Sequence, residues 1–192
     1  MGNIAISFME KGDIEKSARV LSIAMLNNPI HYAVFQSSDE KARIEIEKDF
    51  LKLLNDRPGI VFVAKEKRKI IGVMRMQSCS GKNTSHGKEI QRDENNIEWR
   101  KSIWLNEWAS FEPQDQHWTL GPIGVLPTHQ GLGVGSTFMQ RFCKEVDACQ
   151  ARAYLETDKD INVQFYEKFG FKTKSESVIF DVKCRYMLRA SI

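Results

Sequence analysis

The sequence predicts a mixed α/β (α+β) fold. Two periodicities alternate along the chain: apolar stripes at three- and four-residue steps, and short β-branched runs with strand character. Two of those runs flank a charged turn and read as an antiparallel hairpin. Composition permits a real core: 192 residues, 42% hydrophobic and 28% charged, suit one domain with an insertion. The net charge of +3 is too small for a dedicated nucleic-acid binder, yet compatible with an anionic small ligand.

Residues 4–8 form a short strand candidate. Asp13 reads as an N-cap, followed by Ile14, Ala18, Leu21 and Met25 on one helical stripe, and Asn27-Asn28-Pro29 is expected to end that helix. Ser37-x-x-Glu40 reads as a capping box opening a helix that carries Ile46, Phe50, Leu53 and Leu54 and stops before Arg57-Pro58-Gly59. Residues 60–64 and 70–76 are the hairpin strands, with Lys67-Arg68-Lys69 as a solvated tip. Residues 78–96 are polar and aperiodic. Trp99, Ile103, Trp104, Trp108 and Phe111 then mark a helix over residues 98–111, an aromatic stripe that reads first as core and second as a pocket wall.

Residues 118–126 form a strand interrupted by Gly121-Pro122. Proline has no N–H to give a ladder, so a bulge or a splayed edge is expected, leaving backbone groups near residues 123–125 for solvent or a ligand. Val134, Phe138, Phe142 and Val146 place a helix after it; residues 154–157 are a strand; residues 162–169 are a helix stopped at Gly170. In the last strand Val182, Cys184, Tyr186 and Leu188 alternate with Lys183, Arg185, Met187 and Arg189, which predicts one buried face. An exposed last strand would be compatible with a homodimer.

The cysteines, Cys79, Cys143, Cys149 and Cys184, show no Cys-x-x-Cys pair, and no histidine lies at a metal-like offset. Free thiols and no metal are the expectation. No apolar run of about 18 residues occurs, so a cytoplasmic protein without a membrane association is expected.

The strongest functional signal is Gln130-Gly131-Leu132-Gly133-Val134-Gly135-Ser136, between a strand and a helix. Its glycines let backbone approach a ligand closely, and the N–H groups and dipole of the following helix favour an anion such as a diphosphate. A P-loop is excluded, because no lysine follows Gly135. A dinucleotide fingerprint is weakened by Ser136 at its third glycine position, although Glu156 lies where a ribose-binding acid could sit. A third pattern, Gln/Arg-x-x-Gly-x-Gly/Ala, fits at Gln130, Gly133 and Gly135.

Farther on stands Asn162-x-x-Phe165-Tyr166-Glu167-Lys168-Phe169-Gly170-Phe171. The two motifs in this order resemble the GNAT superfamily of acyl-CoA-dependent N-acetyltransferases over residues 118–171. The resemblance implies a GNAT-like mixed, mostly antiparallel central sheet with helices on both faces. It implies a single acetyltransferase domain over residues 1–192, with an insertion at about 78–116. It also implies acetyl-CoA as the acyl donor. Ile123, Gly124 and Val125 would then hold the pantetheine arm. Gln130, Gly131, Leu132, Gly133, Val134, Gly135 and Ser136 would hold the pyrophosphate, with Asn162 and Phe165 beside the arm. Tyr166 matches the family tyrosine near the thioester sulfur, and the N–H of Val125 is the candidate oxyanion donor. No motif settles the general base: Glu107, His117 and Glu156 are candidates.

The expected reaction moves an acetyl group to a primary amine of a small molecule or a peptide. Two alternatives stay open: a non-catalytic acyl-CoA-binding or sensing module, and a dinucleotide-binding oxidoreductase using Glu156 on a ribose.

Overall fold

The computed structural model describes residues 4–57, 59–81 and 92–191. Among them, β1 (Ile4–Phe8), β2 (Ile60–Glu66), β3 (Lys69–Cys79), β4 (His117–Val125), β5 (Ala153–Thr157), β6 (Lys172–Ile179) and β7 (Val182–Arg189) form one sheet. Its order is β1-β2-β3-β4-β5-β7-β6. Every neighbouring pair is antiparallel except β4 and β5, which run parallel.

Strand alternation builds two cores. Along β2, Val63 joins one cluster while Phe62 and Ala64 join the other; along β5, Tyr154 faces the first and Ala153 and Leu155 the second. The first face is covered by α1 (Ile14–Met25), α2 (Pro29–Phe35), α3 (Glu40–Asp56) and α4 (Ile97–Phe111). Its residues include Leu21, Ile30, Val34, Ile46 and Phe50. The second face is covered by α5 (Val134–Ala148) and α6 (Asp160–Glu167), through Val134, Phe138, Phe142, Val146 and Tyr166. Each fully buried side chain of this size contributes roughly 1.5–3 kcal/mol. The predicted sheet with helices on both faces is therefore present.

Several local expectations need correction. Asn27-Asn28-Pro29 does end α1, as expected, but Pro29 is also the first residue of α2, a short helix the sequence reading lacks, at a position where its missing N–H costs nothing. The Asp158 carboxylate accepts from the N–H of Ile30 at 2.7 Å, so a residue 128 positions away supplies the cap. The cap of α3 is Asp39, which accepts from the N–H of Ala42 at 2.8 Å, whereas the Ser37 hydroxyl accepts from the N–H of Asp39. Asp13 is the N-cap residue of α1, as expected, but its carboxylate makes no cap hydrogen bond and instead accepts from Lys65 Nζ at 2.7 Å. The last strand does not present only one buried face, because Met187 enters the second core. Nor is it an edge: β7 lies between β5 and β6, and the free edges belong to β1 and β6. Of the aperiodic segment, Ser78 and Cys79 extend β3, and residues 82–91 lie outside the described residues, as does Pro58.

Candidate active site

The interruption at Gly121-Pro122 shapes the centre of the sheet. Met74 of β3 opposes Ile123, and Met76 opposes Leu120, so Gly121 and Pro122 together face the single residue Arg75. This is the bulge that proline in the strand predicts. On the opposite edge, the parallel ladder between β4 and β5 consists of two pairs only, Trp118–Ala153 and Thr119–Tyr154. Beyond them the two strands pair no further.

That separation leaves one edge of residues 123–125 open. On the other edge Ile123, Gly124 and Val125 remain paired with Met74, Val73 and Gly72. The N–H of Leu126 donates to the Ile71 carbonyl at 2.8 Å. Because successive backbone groups point to opposite sides of a strand, the N–H and C=O of Val125 face away from β3. Gln130 Nε2 donates to that Val125 carbonyl at 3.0 Å.

The glycine turn follows directly. Gly131 and Gly133 have φ of 77° and 85°, the left-handed region that other residues enter at a cost. A Cβ built on either would meet nothing within 4 Å, so the turn is open to a ligand. Gly133 is the N-cap of α5 and offers no side-chain cap, so Val134, Gly135 and Ser136 start the helix with N–H groups available to an anion. Val134 is buried in the second core and Leu132 is half exposed. A Cβ on Gly135 would stand 3.5 Å from Phe165 Cζ, so α6 packs against this helix start.

α6 carries Asn162, Phe165 and Tyr166, and only Tyr166 is fully buried, with ring centroids 5.3 Å from Phe165 and 6.2 Å from Phe171. Burial pushes the Tyr166 phenol well above its ordinary value, and the charges of Asp158 and Glu156 add to that. The phenol therefore stays protonated at neutral pH and is a donor. Glu156, near the C-terminal end of β5, is pushed up to about 8 by burial and the Glu112 charge, against opposing contributions from Tyr154 and His117.

The other acid–base candidates sit differently. Glu107 is half-buried on α4, and its charge acts on Cys184 and Tyr186 of β7. His117 is fully buried at the start of β4. Its Nδ1 lies 2.7 Å from the Asp115 carbonyl, and its Nε2 lies 3.3 Å from Glu112 Oε1. Burial pulls its pKa down, but Cys79, Glu112 and the Asp115 carbonyl outweigh this and push it up to about 10. Sequence reasoning missed Glu112, Asp158 and Tyr154, which gather here through tertiary contacts that no local pattern announces.

Of the α4 stripe, Trp104, Trp108 and Phe111 face the first core, whereas Ile103 is exposed and Trp99 meets Phe180 at 6.1 Å. Trp104 meets His31 edge-on at 5.0 Å and Trp108 at 4.9 Å, and Phe111 stacks on Tyr186 at 4.1 Å. Among the described residues, His31 Nδ1 and Trp104 Nε1 are buried with no hydrogen-bond partner. Burial and the Lys159 charge drop His31 to about 3, so it is neutral.

Among the described residues no helix is long and apolar enough to cross a membrane. A family model described as the acetyltransferase (GNAT) family matches residues 21–171. Among solved structures, arylalkylamine N-acetyltransferase 2 from Aedes aegypti is 16% identical with a TM-score of 0.75, over 98% of this chain and 99% of that one. A Corynebacterium glutamicum protein described as histone acetyltransferase HPA2 and related acetyltransferase is 19% identical with a TM-score of 0.74, over 100% and 98%. The PaiA N-acetyltransferase of Thermoplasma acidophilum, solved in complex with coenzyme A, is 13% identical with a TM-score of 0.59, over 98% and 99%.

Proposed function

The chain belongs to the GNAT family of acetyltransferases, whose reaction is acyl transfer from acetyl-CoA, and from that premise we propose that it acetylates a primary amine of a small molecule or peptide. The observation that carries this reading is the parting of β4 and β5 after Thr119 and Tyr154, beside the open glycine turn. An extended amide-bearing arm fits an unpaired strand edge, and a pyrophosphate fits a helix start with free N–H groups.

In this reading residues 123–125 hold the pantetheine arm, residues 130–136 the pyrophosphate, and Asn162 and Phe165 flank the arm. The bound group supplies an acetyl thioester. Around it the chain's own residues divide the work. Glu156, tuned to about 8, takes a proton from the incoming ammonium, since a base acts best with a pKa near the working pH. The N–H of Val125 faces the open edge and stabilises negative charge on the carbonyl oxygen. Tyr166, held protonated by burial, delivers a proton to the departing sulfur. Glu107 and the aromatic wall of His31, Trp104 and Trp108 bound the approach of the acceptor. His117 is a poor base in this scheme, because at about 10 it holds its proton at neutral pH.

A thermal-shift series with acetyl-CoA, CoA and NAD, followed by an amine panel read by thiol release, tests the proposal. Stabilisation by both CoA species and release with at least one amine class supports it. Stabilisation by NAD alone contradicts it, and CoA binding without release from any amine assigns a sensing module instead.

A further inference from the structure

At the end of the sheet away from the glycine turn, Cys79 and His117 are direct cross-strand partners in β3 and β4. Residues two apart share a sheet face, so Gln77 and Thr119, themselves paired, project with them. Glu112, which caps the C-terminus of α4, reaches the same point. The ligating atoms of Cys79, Glu112 and His117 all lie within 4.8 Å of one another. Cys79 and His117 are buried, and the Glu112 side chain is 13% exposed.

We propose that Cys79, Glu112 and His117 bind one zinc ion. Three features support a metal over a chance cluster. The donor set is sulfur, nitrogen and oxygen, which suits zinc and disfavours magnesium and calcium, whose ligands are all oxygen. The separations fit: zinc bonds of roughly 2.0–2.3 Å at tetrahedral angles set ligand atoms about 3.4–3.6 Å apart, and His117 Nε2 already stands 3.3 Å from Glu112 Oε1. The second shell is in place as well. The Asp115 carbonyl, 2.7 Å from His117 Nδ1, can only accept, so it keeps a ring hydrogen on Nδ1 and turns Nε2 toward the cluster, where zinc would displace the Nε2 proton.

The surrounding polar groups complete the site. Gln77 Nε2 donates to Cys79 Sγ at 3.3 Å, which helps hold a thiolate. The Thr119 hydroxyl lies 3.4 Å from Cys79 Sγ and 3.4 Å from Glu112 Oε1, where it completes the shell or orients a water that does. A zinc ion here would fasten the end of α4 to the β3–β4 edge. That would position the helix carrying the aromatic wall without entering the chemistry.

The test uses the intact protein carrying Cys149→Ser, which removes the exposed thiol. Metal analysis after purification is expected to give one zinc per chain. Chelation should lower Tm by several degrees, restored by zinc and not by magnesium. Replacement by cobalt(II) should produce tetrahedral visible bands and a near-ultraviolet sulfur-to-cobalt band. Cys79→Ser should abolish the sulfur band, and Glu112→Gln should weaken zinc binding at least tenfold while leaving acetyl-CoA binding unchanged. Absence of both cobalt bands in the Cys149→Ser protein would overturn the proposal, leaving a proton shared between His117 and Glu112. Cobalt bands that persist in a folded Cys79→Ser variant would also overturn it. Because the cobalt titration needs only the Cys149→Ser protein, it decides even if Cys79→Ser fails to fold.

Discussion

Gln130 Nε2 sits 3.0 Å from the carbonyl oxygen of Val125 and ties the start of the glycine turn to the open edge of β4. The hydrogen bond spans five residues and holds the two halves of the proposed coenzyme site in one geometry. Removing it with Gln130→Ala should forfeit about 0.5–1.5 kcal/mol, equivalent to a rise of roughly two- to tenfold in the KM for acetyl-CoA, with kcat little changed. Steady-state kinetics would show this, and an unchanged KM would separate Gln130 from coenzyme binding.

Gly133 tests the same site from the other side. Gly133→Val forces a β-branched residue to φ of 85°, at a cost of about 1–2 kcal/mol, and places methyl groups in the space open to the phosphates. Calorimetry should detect no CoA binding while circular dichroism stays native. Wild-type affinity in this variant would contradict the assignment of residues 130–136.

Tyr166 is buried, protonated and close enough to Glu156 and Asp158 to feel their charges. Tyr166→Phe keeps the ring packing and removes the proton. A kcat lower by about 10²-fold, with CoA affinity within twofold of wild type, is the expected outcome. Unchanged turnover would remove Tyr166 from the chemistry.

Glu156, as the proposed base, should set the pH dependence. Its carboxyl is raised to about 8, so the basic form is lost as pH falls through 8 and gained as it rises. The kcat at saturating amine should therefore climb about tenfold between pH 7 and 9, with the slope of log kcat near one below pH 7 and levelling above pH 9, and Glu156→Gln should flatten and depress the profile. The sign for stability is opposite: a carboxyl raised in the folded state is most favourable protonated, so its contribution declines as pH rises from about 4.5 to 8. A rate profile flat from pH 6 to 9 in the wild-type protein would exclude Glu156 as the base.

Phe138 is wholly buried on α5 under the sheet's second face. Phe138→Ala should cost about 3–5 kcal/mol, or roughly 10 °C in Tm for a chain of this size. A loss below about 1 kcal/mol would mean that the second core tolerates a cavity beneath the helix that starts the proposed pyrophosphate site.

Where periodicity is strong, sequence and structure agree. The α3 stripe of Ile46, Phe50 and Leu54 and the α5 stripe of Val134, Phe138, Phe142 and Val146 are buried as their spacing requires. The bulge at Gly121-Pro122 was also legible, because proline's missing donor is a local property. α2 was not legible: it is seven residues long, begins at proline, and takes its cap from Asp158, 128 positions along the chain just after β5. The burial of Met187 and the interior place of β7 were hidden for a related reason, since strand order is decided by which edges meet.

The amino-acid order alone determined the strand–glycine-turn–helix unit and the Asn162-to-Phe171 motif, because turn glycines, helix starts and apolar spacing act between near neighbours. Tertiary structure decided which titratable side chains meet. Glu156 is tuned by burial and by Glu112, and Cys79, Glu112 and His117 meet only because β3, β4 and α4 end at one point. Electrostatic coupling depends on distance through space and on exclusion of water, and neither can be read from separation along the chain.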